Sequence, residues 1–370
     1  MTMKKRWAFA VIGFDHMHAG DFIRTILSSD RAELAGVWDG EPERLTAVAD
    51  DLGLPARLRF PDVDDLIGEA IDVAVVCSTT RDHPHWVGRL AAAGINVIVE
   101  KPFATELGDA DEMIAAAERS GVLLAVNWPL AWYPPHRTTE RLIREGTIGE
   151  VREIHYYDGN RGPLRHLHDK REVDPAANAA SKRATWWYQE AAGGGSLLDY
   201  LGYGATLSTW FRANELPTSI TARTHVLPGD EVDEQSVVIA SFAGGLSTFH
   251  TRWGTFTDPW THQPQPLCGF VVAGSRGTIS SYDYRDHITL QTEEHPEGVR
   301  LPVDELAPEN RNGVEHVIAA LEGGGGLTGP LSPVVSRIGQ RIVDSARESA
   351  RLGRTVELLD ARTEGEEAPV

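Results

Sequence analysis

Short apolar runs alternate with helical patterns over the first third of the chain. The runs predict fully buried strands at Trp7–Gly13, Ala32–Trp38, Val73–Cys77, Asn96–Val99 and Leu123–Val126. The segments between them have helical spacing at Ala19–Ser28, Pro42–Leu52, His85–Ala93 and Leu107–Ser120. Strands that alternate with helices over short connections form a doubly wound parallel sheet, which binds ligands at the carboxyl ends of its strands.

A different pattern begins after Pro134-Pro135. One predicted helix, His136–Glu145, leads into strands of alternating polarity at Val151–Tyr157, Ser219–Val226, Gln235–Phe242, Leu246–Arg252, Phe270–Ala273 and Thr278–Tyr282. Two more helices follow, Gly313–Leu321 and Pro333–Leu352. We therefore predict an α/β dinucleotide-binding domain at residues 1–128 and an α+β domain at residues 129–370. Its large, mostly antiparallel sheet would have one open face, which favours a homodimer or homotetramer.

Composition narrows the class of protein. The 370 residues are 41% hydrophobic and 24% charged, as in a globular chain, and the net charge of −19 argues against nucleic acid. No apolar stretch is long enough for a membrane helix, and the basic start precedes only the run Trp7–Phe14, which a buried strand explains better than a signal peptide. Two cysteines, Cys77 and Cys268, cannot form a disulfide framework, which favours a cytoplasmic location.

Gly13 follows the first strand, where glycine lets the backbone approach a pyrophosphate in a Rossmann-type domain. The usual second and third glycines are replaced by Asp15 and His18. We predict cofactor contacts from Gly13, Phe14, Asp15 and His16. An alternative is a metal site of Asp15, His16 and His18, but two of these residues are adjacent and the sequence offers no partner cluster, so no metal is predicted.

Polar residues also end the second and third strands. Asp39 can accept both hydroxyls of an adenosine ribose and repel a ribose phosphate, which favours NAD over NADP; alternatively it caps the next helix. Ser78 and Thr79 can contact the cofactor or cap a helix, and His85 lies just beyond them.

Glu100-Lys101-Pro102 ends the fourth strand. A lysine in a partly dry cleft can take part in proton transfer, although a surface cation is the alternative. The run Glu100 to Phe103 resembles the Glu-Lys-Pro signature of the Gfo/Idh/MocA family of nicotinamide-dependent sugar oxidoreductases. Two further stretches are similar to that family: Asn127 to Gly149, and Gly193-Gly194-Gly195-Ser196-Leu197-Leu198-Asp199.

The resemblance implies roles for matching positions. Lys101 matches the family's catalytic lysine and Asp199 the aspartate that assists it, while Tyr203 stands where most dehydrogenases of the family have histidine. Gly13, Asp39, Glu100 and Asn127 match cofactor-contact positions. The residues are chemically consistent with this: Asp199 and Tyr203 are four apart, so they share one helical face, although a buried tyrosine bonded to an aspartate is the alternative.

The segment 159–188 is basic within an acidic chain. Arg161 and Arg165 can clamp an anionic group, and aromatic rings suit the apolar faces of a sugar. The aromatic residues are Trp186, Trp187 and Tyr188. We expect a sugar or glycoside as substrate, with an anionic group as an option; a solvated loop or subunit interface is the alternative.

Three functions remain open from the sequence. The first is oxidation or reduction of a sugar hydroxyl by hydride transfer with NAD. The second, which the resemblance also allows, is an NAD-dependent glycosidase that oxidises a ring carbon transiently, eliminates the aglycone and returns the hydride. The third is a non-catalytic ligand sensor, against which the chemically competent set Lys101, Asp199 and Tyr203 argues.

Overall fold

The computed structural model describes residues 5–165, 172–174, 176, 182–324 and 326–358. Its first sheet has five parallel strands in the order β2-β1-β3-β4-β5, as the apolar runs predict. The strands are β1 Trp7–Ile12, β2 Ala32–Trp38, β3 Val73–Val76, β4 Asn96–Val99 and β5 Leu124–Val126. Most residues of these strands are buried, because helices cover both faces of the sheet.

Five helices connect these strands: α1 Ala19–Ser28, α2 Pro42–Asp51, α3 Val63–Ile67, α4 His83–Ala92 and α5 Leu107–Ser120. The sequence predicted all of them but α3, which is too short to show a helical period. Asp62 starts α3 by accepting a hydrogen bond from the Asp64 amide with its side chain. The fold class is thus confirmed for the first part of the chain.

The second sheet has nine strands in the order β13-β12-β11-β10-β6-β9-β8-β7-β14. Its strands are β6 Val151–Asn160, β7 Ser219–Val226, β8 Asp233–Phe242, β9 Gly245–Trp253, β10 Gly269–Gly274, β11 Gly277–Tyr282, β12 His287–Thr292, β13 Val299–Pro302 and β14 Val356–Glu357. All neighbouring pairs are antiparallel except β6 and β9. The sequence missed β12, β13 and β14 but predicted the mostly antiparallel character.

In the described ranges, four longer helices accompany this sheet: α6 Pro134–Arg144, α7 Ser196–Phe211, α8 Gly313–Gly323 and α9 Pro333–Leu352. Almost all of α7 is buried, because it lies between the sheet and α9. At Gly204 a Cβ would overlap the Tyr156 ring and lie 2.9 Å from Phe249, so only glycine lets α7 approach the sheet this closely. The opposite face carries exposed Val237, Ile239 and Leu246.

The second part of the chain packs back onto the first. Arg31 contacts Glu315 at 2.9 Å, and the Trp128 indole donates to Ser336 Oγ at 2.9 Å. These contacts join the segment before β2 to α8 and the segment after β5 to α9. Among the helices of the described ranges, none is both long and apolar enough to cross a membrane.

Candidate active site

One cavity of about 630 Å³ lies between the carboxyl ends of the first sheet and α7. Its first side includes Phe14, Asp15, Arg44 and Thr79, and Lys101 lies where the two sides meet. A volume of this size suits a small-molecule or cofactor site, for which roughly 300–1,000 Å³ is typical.

The glycine predicted to approach the cofactor is sterically required. Gly13 has a φ of +84°, and a Cβ there would lie 3.0 Å from the Ser78 backbone nitrogen. The Gly13 amide donates to the Trp38 carbonyl at 2.8 Å. Gly13 therefore lets the loop after β1 pass directly over the start of the segment after β3.

The replaced glycines change this loop. The Phe14 amide donates to Asp39 Oδ2 at 2.7 Å and the His16 amide to the Cys77 carbonyl at 3.0 Å, so both amides are already used. The Asp15 carboxylate contacts Arg44 at 2.8 Å, and burial, opposed by the charge of Arg44, raises its pKa to about 6. Any pyrophosphate must be held differently from the way a three-glycine loop holds one.

Asp39 takes a role that the sequence did not predict. Its carboxylate accepts bonds from the amides of Phe14 and Glu41 at 2.7 Å and from Arg44 Nε at 3.0 Å. Its side chain is fully buried and is absent from the described lining of the cavity, whereas Glu41 and Arg44 are part of that lining. Glu41, not Asp39, precedes α2 as its N-cap residue. Asp39 thus ties the two loops together.

The other predicted cofactor residues lie at different depths. Thr79 lines the cavity and donates to Asp82 at 2.7 Å, and Ser78 is buried beside Gly13. His85 is exposed and packs against Trp86, 4.9 Å between ring centroids. His85 is not among the described residues that line the cavity, so no cofactor contact from it is seen there.

Glu100 is fully buried behind the cavity. It accepts bonds from the Asn127 side chain and from the Lys101 amide at 2.9 Å, and His18 Nδ1 lies 3.1 Å away. Glu100 and Asn127 therefore brace the end of β4 against the end of β5.

Glu100, together with His16 and His18, forms a group of three possible metal ligands that the sequence alone did not reveal. Ligand atoms of His16, His18 and Glu100 all lie within 4.8 Å of one another. Burial, followed by the charge of Lys101, lowers the pKa of His16 well below its usual value, so this histidine is neutral. A cation here would meet the nearby Lys101 ammonium, and the expectation of no metal stays a prediction.

Lys101, Asp199 and Tyr203 come together at the centre of the cavity. Lys101 Nζ forms an ion pair with Asp199 Oδ1, and its distance to the centroid of the Tyr203 ring is 5.2 Å. The second Asp199 oxygen accepts the Trp253 indole N–H at 2.9 Å. Each of the three predicted catalytic residues is more than nine-tenths buried and lines the cavity.

Tyr203 is held in its protonated form. Burial, followed by the charge of Glu100, raises the pKa of its phenol well above the usual value. Its hydroxyl has no hydrogen-bond partner in the described ranges, so the alternative of a tyrosine bonded to the aspartate does not apply there. The phenol is free to donate to a ligand.

The glycine run before α7 positions this set. Gly195 has a φ of +104° and precedes Ser196, the first residue of the helix. Ser196 Oγ and the Leu197 amide both donate to Asp233, at 2.6 and 3.0 Å. This anchor fixes the start of α7, and Asp199 and Tyr203 then project from one face, as their spacing predicts.

The aromatic segment before the glycines covers the cavity. Trp186 and Trp187 stack at 3.7 Å and line the cavity, and the Trp186 indole donates to the Asp15 carbonyl at 3.2 Å. Trp187 lies over Lys101, 5.7 Å from Nζ to the ring centroid. Tyr188 instead bonds Glu234 at 3.3 Å beneath this layer.

The two arginines predicted to clamp an anion are placed elsewhere. Arg161 pairs with Asp258 at 2.6 Å and Glu172 at 2.8 Å. Neither Arg161 nor Arg165 belongs to the lining that the described residues form. The other basic residues of this segment that stand at 166, 168, 170 and 171 lie outside the described residues. The described geometry therefore gives the anion prediction no support.

Sequence reasoning missed two carboxylates in the cavity wall, Asp158 and Asp283. Asp158 is at the carboxyl end of β6 and Asp283 directly follows β11. Burial and the charge of Asp283 raise the pKa of Asp158 to about 7. The available signal for Asp158 was its position: it falls on the buried face of β6, in register with Ile154 and Tyr156. For Asp283 only the pairing of β10 with β6 and β11 brings it near.

Two family models match the chain. The oxidoreductase family with an NAD-binding Rossmann fold, GFO_IDH_MocA, matches residues 7–128, and the GFO/IDH/MocA C-terminal domain matches residues 136–280. Among named relatives, D-apiose dehydrogenase of Paraburkholderia graminis is 35% identical over 153 residues, 40% of this chain and 39% of that protein. A 2,7-anhydro-N-acetylneuraminate hydratase of Mediterraneibacter gnavus is 27% identical over 152 residues, 41% of this chain and 39% of that protein. These matches thus span about two fifths of each relative's length.

Solved structures share the whole fold. An oxidoreductase from Agrobacterium radiobacter in complex with NAD+, L-tartaric acid and magnesium has a TM-score of 0.75 and 20% identity, covering 95% of this chain and 98% of that one. The aldose-aldose oxidoreductase of Caulobacter crescentus, complexed with glycerol, has a TM-score of 0.75 and 21% identity, covering 96% and 100%.

Proposed function

The chain belongs to the Gfo/Idh/MocA oxidoreductase family, and from that premise we propose that it transfers hydride between NAD and a hydroxyl-bearing carbon of a sugar or glycoside. One observation carries the proposal: the buried ion pair of Lys101 and Asp199 lies beside a Tyr203 hydroxyl that no described residue bonds, in the cavity that begins at the loop after β1. This is a proton-transfer group placed where a dinucleotide-binding sheet presents its ligand.

The cavity wall fits a dinucleotide. Gly13 lets the loop after β1 pass close to the Ser78 backbone, and Phe14, Arg44 and Thr79 line the cavity there. Around the Arg44 guanidinium lie the carboxylates of Asp15, Asp39 and Glu41, so this end is acidic overall. An acidic end disfavours the extra phosphate of NADP, which supports NAD. When bound, the nicotinamide supplies the hydride acceptor or donor.

The chain's own residues handle the proton. In the direction of reduction, the Lys101 ammonium donates a proton to the carbonyl oxygen of the substrate, while Asp199 holds the ammonium in place and is itself held by Trp253. The Tyr203 hydroxyl donates a hydrogen bond to the same oxygen. In the direction of oxidation, the hydroxyl proton passes to the Lys101 amine. The stacked rings of Trp186 and Trp187 limit the access of water.

The test is a screen of sugars and glycosides with NAD that follows both nicotinamide absorbance and products. On any substrate found, Lys101→Met should lower kcat by about 10²–10⁴-fold, since it removes a general acid. Lys182→Met is the matched control, because Lys182 pairs with Asp230 and Glu234 away from the cavity and its loss should leave kcat close to wild type. Unchanged turnover in Lys101→Met would refute the proposed role of Lys101, whereas binding of a sugar without turnover of any substrate would support the sensor.

A second candidate is an NAD-dependent glycosidase with no net redox change. One observation favours it: a relative matched over two fifths of this chain is named as a hydratase, which is not a net oxidation. Measuring aglycone release together with NADH separates the two functions. Aglycone released without stoichiometric NADH indicates the glycosidase, and stoichiometric NADH indicates the dehydrogenase.

We also propose that the chain forms a homodimer or homotetramer through the open face of the second sheet. Val237, Ile239 and Leu246 are each at least 36% exposed on that face, and adjacent strands β8 and β9 carry them. Burying such a surface against a second copy removes it from water.

A further inference from the structure

The second-domain side of the cavity combines carboxylates with aromatic rings. Asp158, Asp199 and Asp283 line it, and among the described residues from position 129 onward no lysine or arginine does. Lys101 neutralises Asp199. Two carboxylates therefore remain without a lysine or arginine partner inside the described wall.

Neither of these carboxylates pairs with a lysine or arginine among the described residues: uncharged groups bond Asp158, and a histidine contacts Asp283. Asp158 accepts bonds from the Tyr156 hydroxyl at 2.8 Å and the Gly159 amide at 2.7 Å. Asp283 lies 2.8 Å from His136 Nε2, and His136 Nδ1 lies 2.7 Å from Ser281 Oγ. Since a buried carboxylate without a cation is costly, this wall is prepared to receive positive charge.

An independent observation points to a ligand in the same place. Tyr203 is 5% exposed, lines the cavity and has a hydroxyl without a partner in the described part of the chain. Tyr133 and Tyr284 also line the cavity, with their hydroxyls 2.5 Å apart and ring centroids 4.7 Å apart. Ring faces beside carboxylates are the surroundings in which proteins bind ammonium groups.

We propose that this wall binds an ammonium group, so that the substrate is an amino-substituted sugar or glycoside. The inference rests on the proposed function for the identity of the sugar-binding site, and it replaces the anionic group expected from Arg161 and Arg165. An anionic substituent would face Asp158 and Asp283 directly and be repelled. An ammonium supplies a positive charge that no lysine or arginine of the described wall gives to these carboxylates.

Proton release from Asp158 is a second measurable sign that an ammonium group binds to this wall. Because burial and Asp283 raise the pKa of Asp158 to about 7, this carboxyl is partly protonated in the empty site near neutral pH. Binding of a cation favours the ionised form and expels the proton. Calorimetry of one amino sugar in two buffers of different ionisation enthalpy should therefore detect net proton release at pH 7.

The main experiment uses matched probes on the full chain with NAD present. The set is methyl glucoside, its derivatives in which one hydroxyl at a time is replaced by an amino group, and methyl glucuronide, each titrated by calorimetry. At least one amino derivative should bind about tenfold or more tightly than methyl glucoside, as a charge-assisted hydrogen bond allows, and the glucuronide should bind more weakly. An amino series that binds no more tightly than the parent overturns the inference.

Variants separate the carboxylates from general effects. Asp158→Asn and Asp283→Asn keep the size of each side chain and should bring the ratio of amino-derivative affinity to methyl glucoside affinity down towards one, whatever they do to the affinity for methyl glucoside itself. Asp304→Asn is the control, since Asp304 pairs with Arg141 away from the cavity. Thermal unfolding of each variant checks its fold, and an amino preference that survives in both folded variants also overturns the inference.

Hydride transfer is measured separately, as NADH formation with each probe. Tight amino binding without NADH formation from any probe would uphold the ammonium site and refute the dehydrogenase. Oxidation of the neutral glucosides without tighter binding of any amino derivative would uphold the dehydrogenase and refute the ammonium site.

Discussion

The ion pair of Lys101 and Asp199 should contribute to stability as a unit. Their side chains are only 5% and 8% exposed, so removal of one partner leaves the other as a buried charge without compensation. Such a loss typically costs about 3–5 kcal/mol, whereas removal of both partners leaves no buried charge. We expect Lys101→Met and Asp199→Asn each to lower the free energy of unfolding by about 3 kcal/mol. The double variant should lose about 2–3 kcal/mol less unfolding free energy than the sum of the two single losses.

The assay is urea unfolding of the four proteins, followed by circular dichroism and tryptophan fluorescence. The amide oxygen introduced by Asp199→Asn would still accept the Trp253 indole bond, which limits other changes in the double variant. The control cycle uses Arg141→Met and Asp304→Asn, a pair about one third exposed, for which a coupling of roughly 0.2–1 kcal/mol is expected. Additivity within about 0.5 kcal/mol at Lys101 and Asp199 would refute the reasoning, because independent sites behave in that way.

Four further predictions concern single positions. Tyr203→Phe should lower kcat by about 10²–10³-fold with little change in thermal stability, if its hydroxyl stabilises the reacting oxygen; equal kcat would exclude that role. Asp158 has a folded pKa of about 7, above its ordinary 3.8, so its contribution to stability is fully present below about pH 4 and is lost as pH rises towards 7. In Asp158→Asn, the thermal unfolding midpoint should therefore fall less between about pH 4 and pH 7 than it does in the wild type. The same pH profile in both proteins would contradict this prediction. Gly204→Ala should cost about 1–3 kcal/mol of stability through overlap with Tyr156. Gly88→Ala, in a helix where the added Cβ would meet nothing within 4 Å apart from its chain neighbours and the helix's own backbone, should gain about 0.5–1 kcal/mol. Ile239→Lys should shift light-scattering mass towards the monomer, and an unchanged mass would exclude this face as the interface.

Parts of the candidate site could be predicted because they follow strand ends. The apolar runs located the strands of the first sheet, and residues just after parallel strands must meet at one edge. Gly13 and Lys101 were found in this way. Asp199 and Tyr203 followed from a glycine run and helical spacing, aided by the family resemblance.

Other parts depended on contacts between distant segments. Asp39 ends its strand as predicted, yet Arg44 and two amides use its carboxylate. Arg161 has the charge to bind an anion, but Asp258, which is 97 residues away, takes it. The local sequence specifies which chemical groups a residue carries. It does not specify which distant residue will bind those groups in the folded chain.

The sequence by itself determined the alternation of buried strands and helices, the switch to a half-covered sheet, and the chemical groups at the strand ends. These are properties of near neighbours, since hydrophobic period and glycine placement act over a few residues. Only the tertiary structure decided that Lys101 meets Asp199, 98 residues later, and that Asp158 and Asp283 share one wall. The parallel pairing of β6 with β9 and the close packing of α7 set those distances, and they arise from long-range burial that no local pattern encodes.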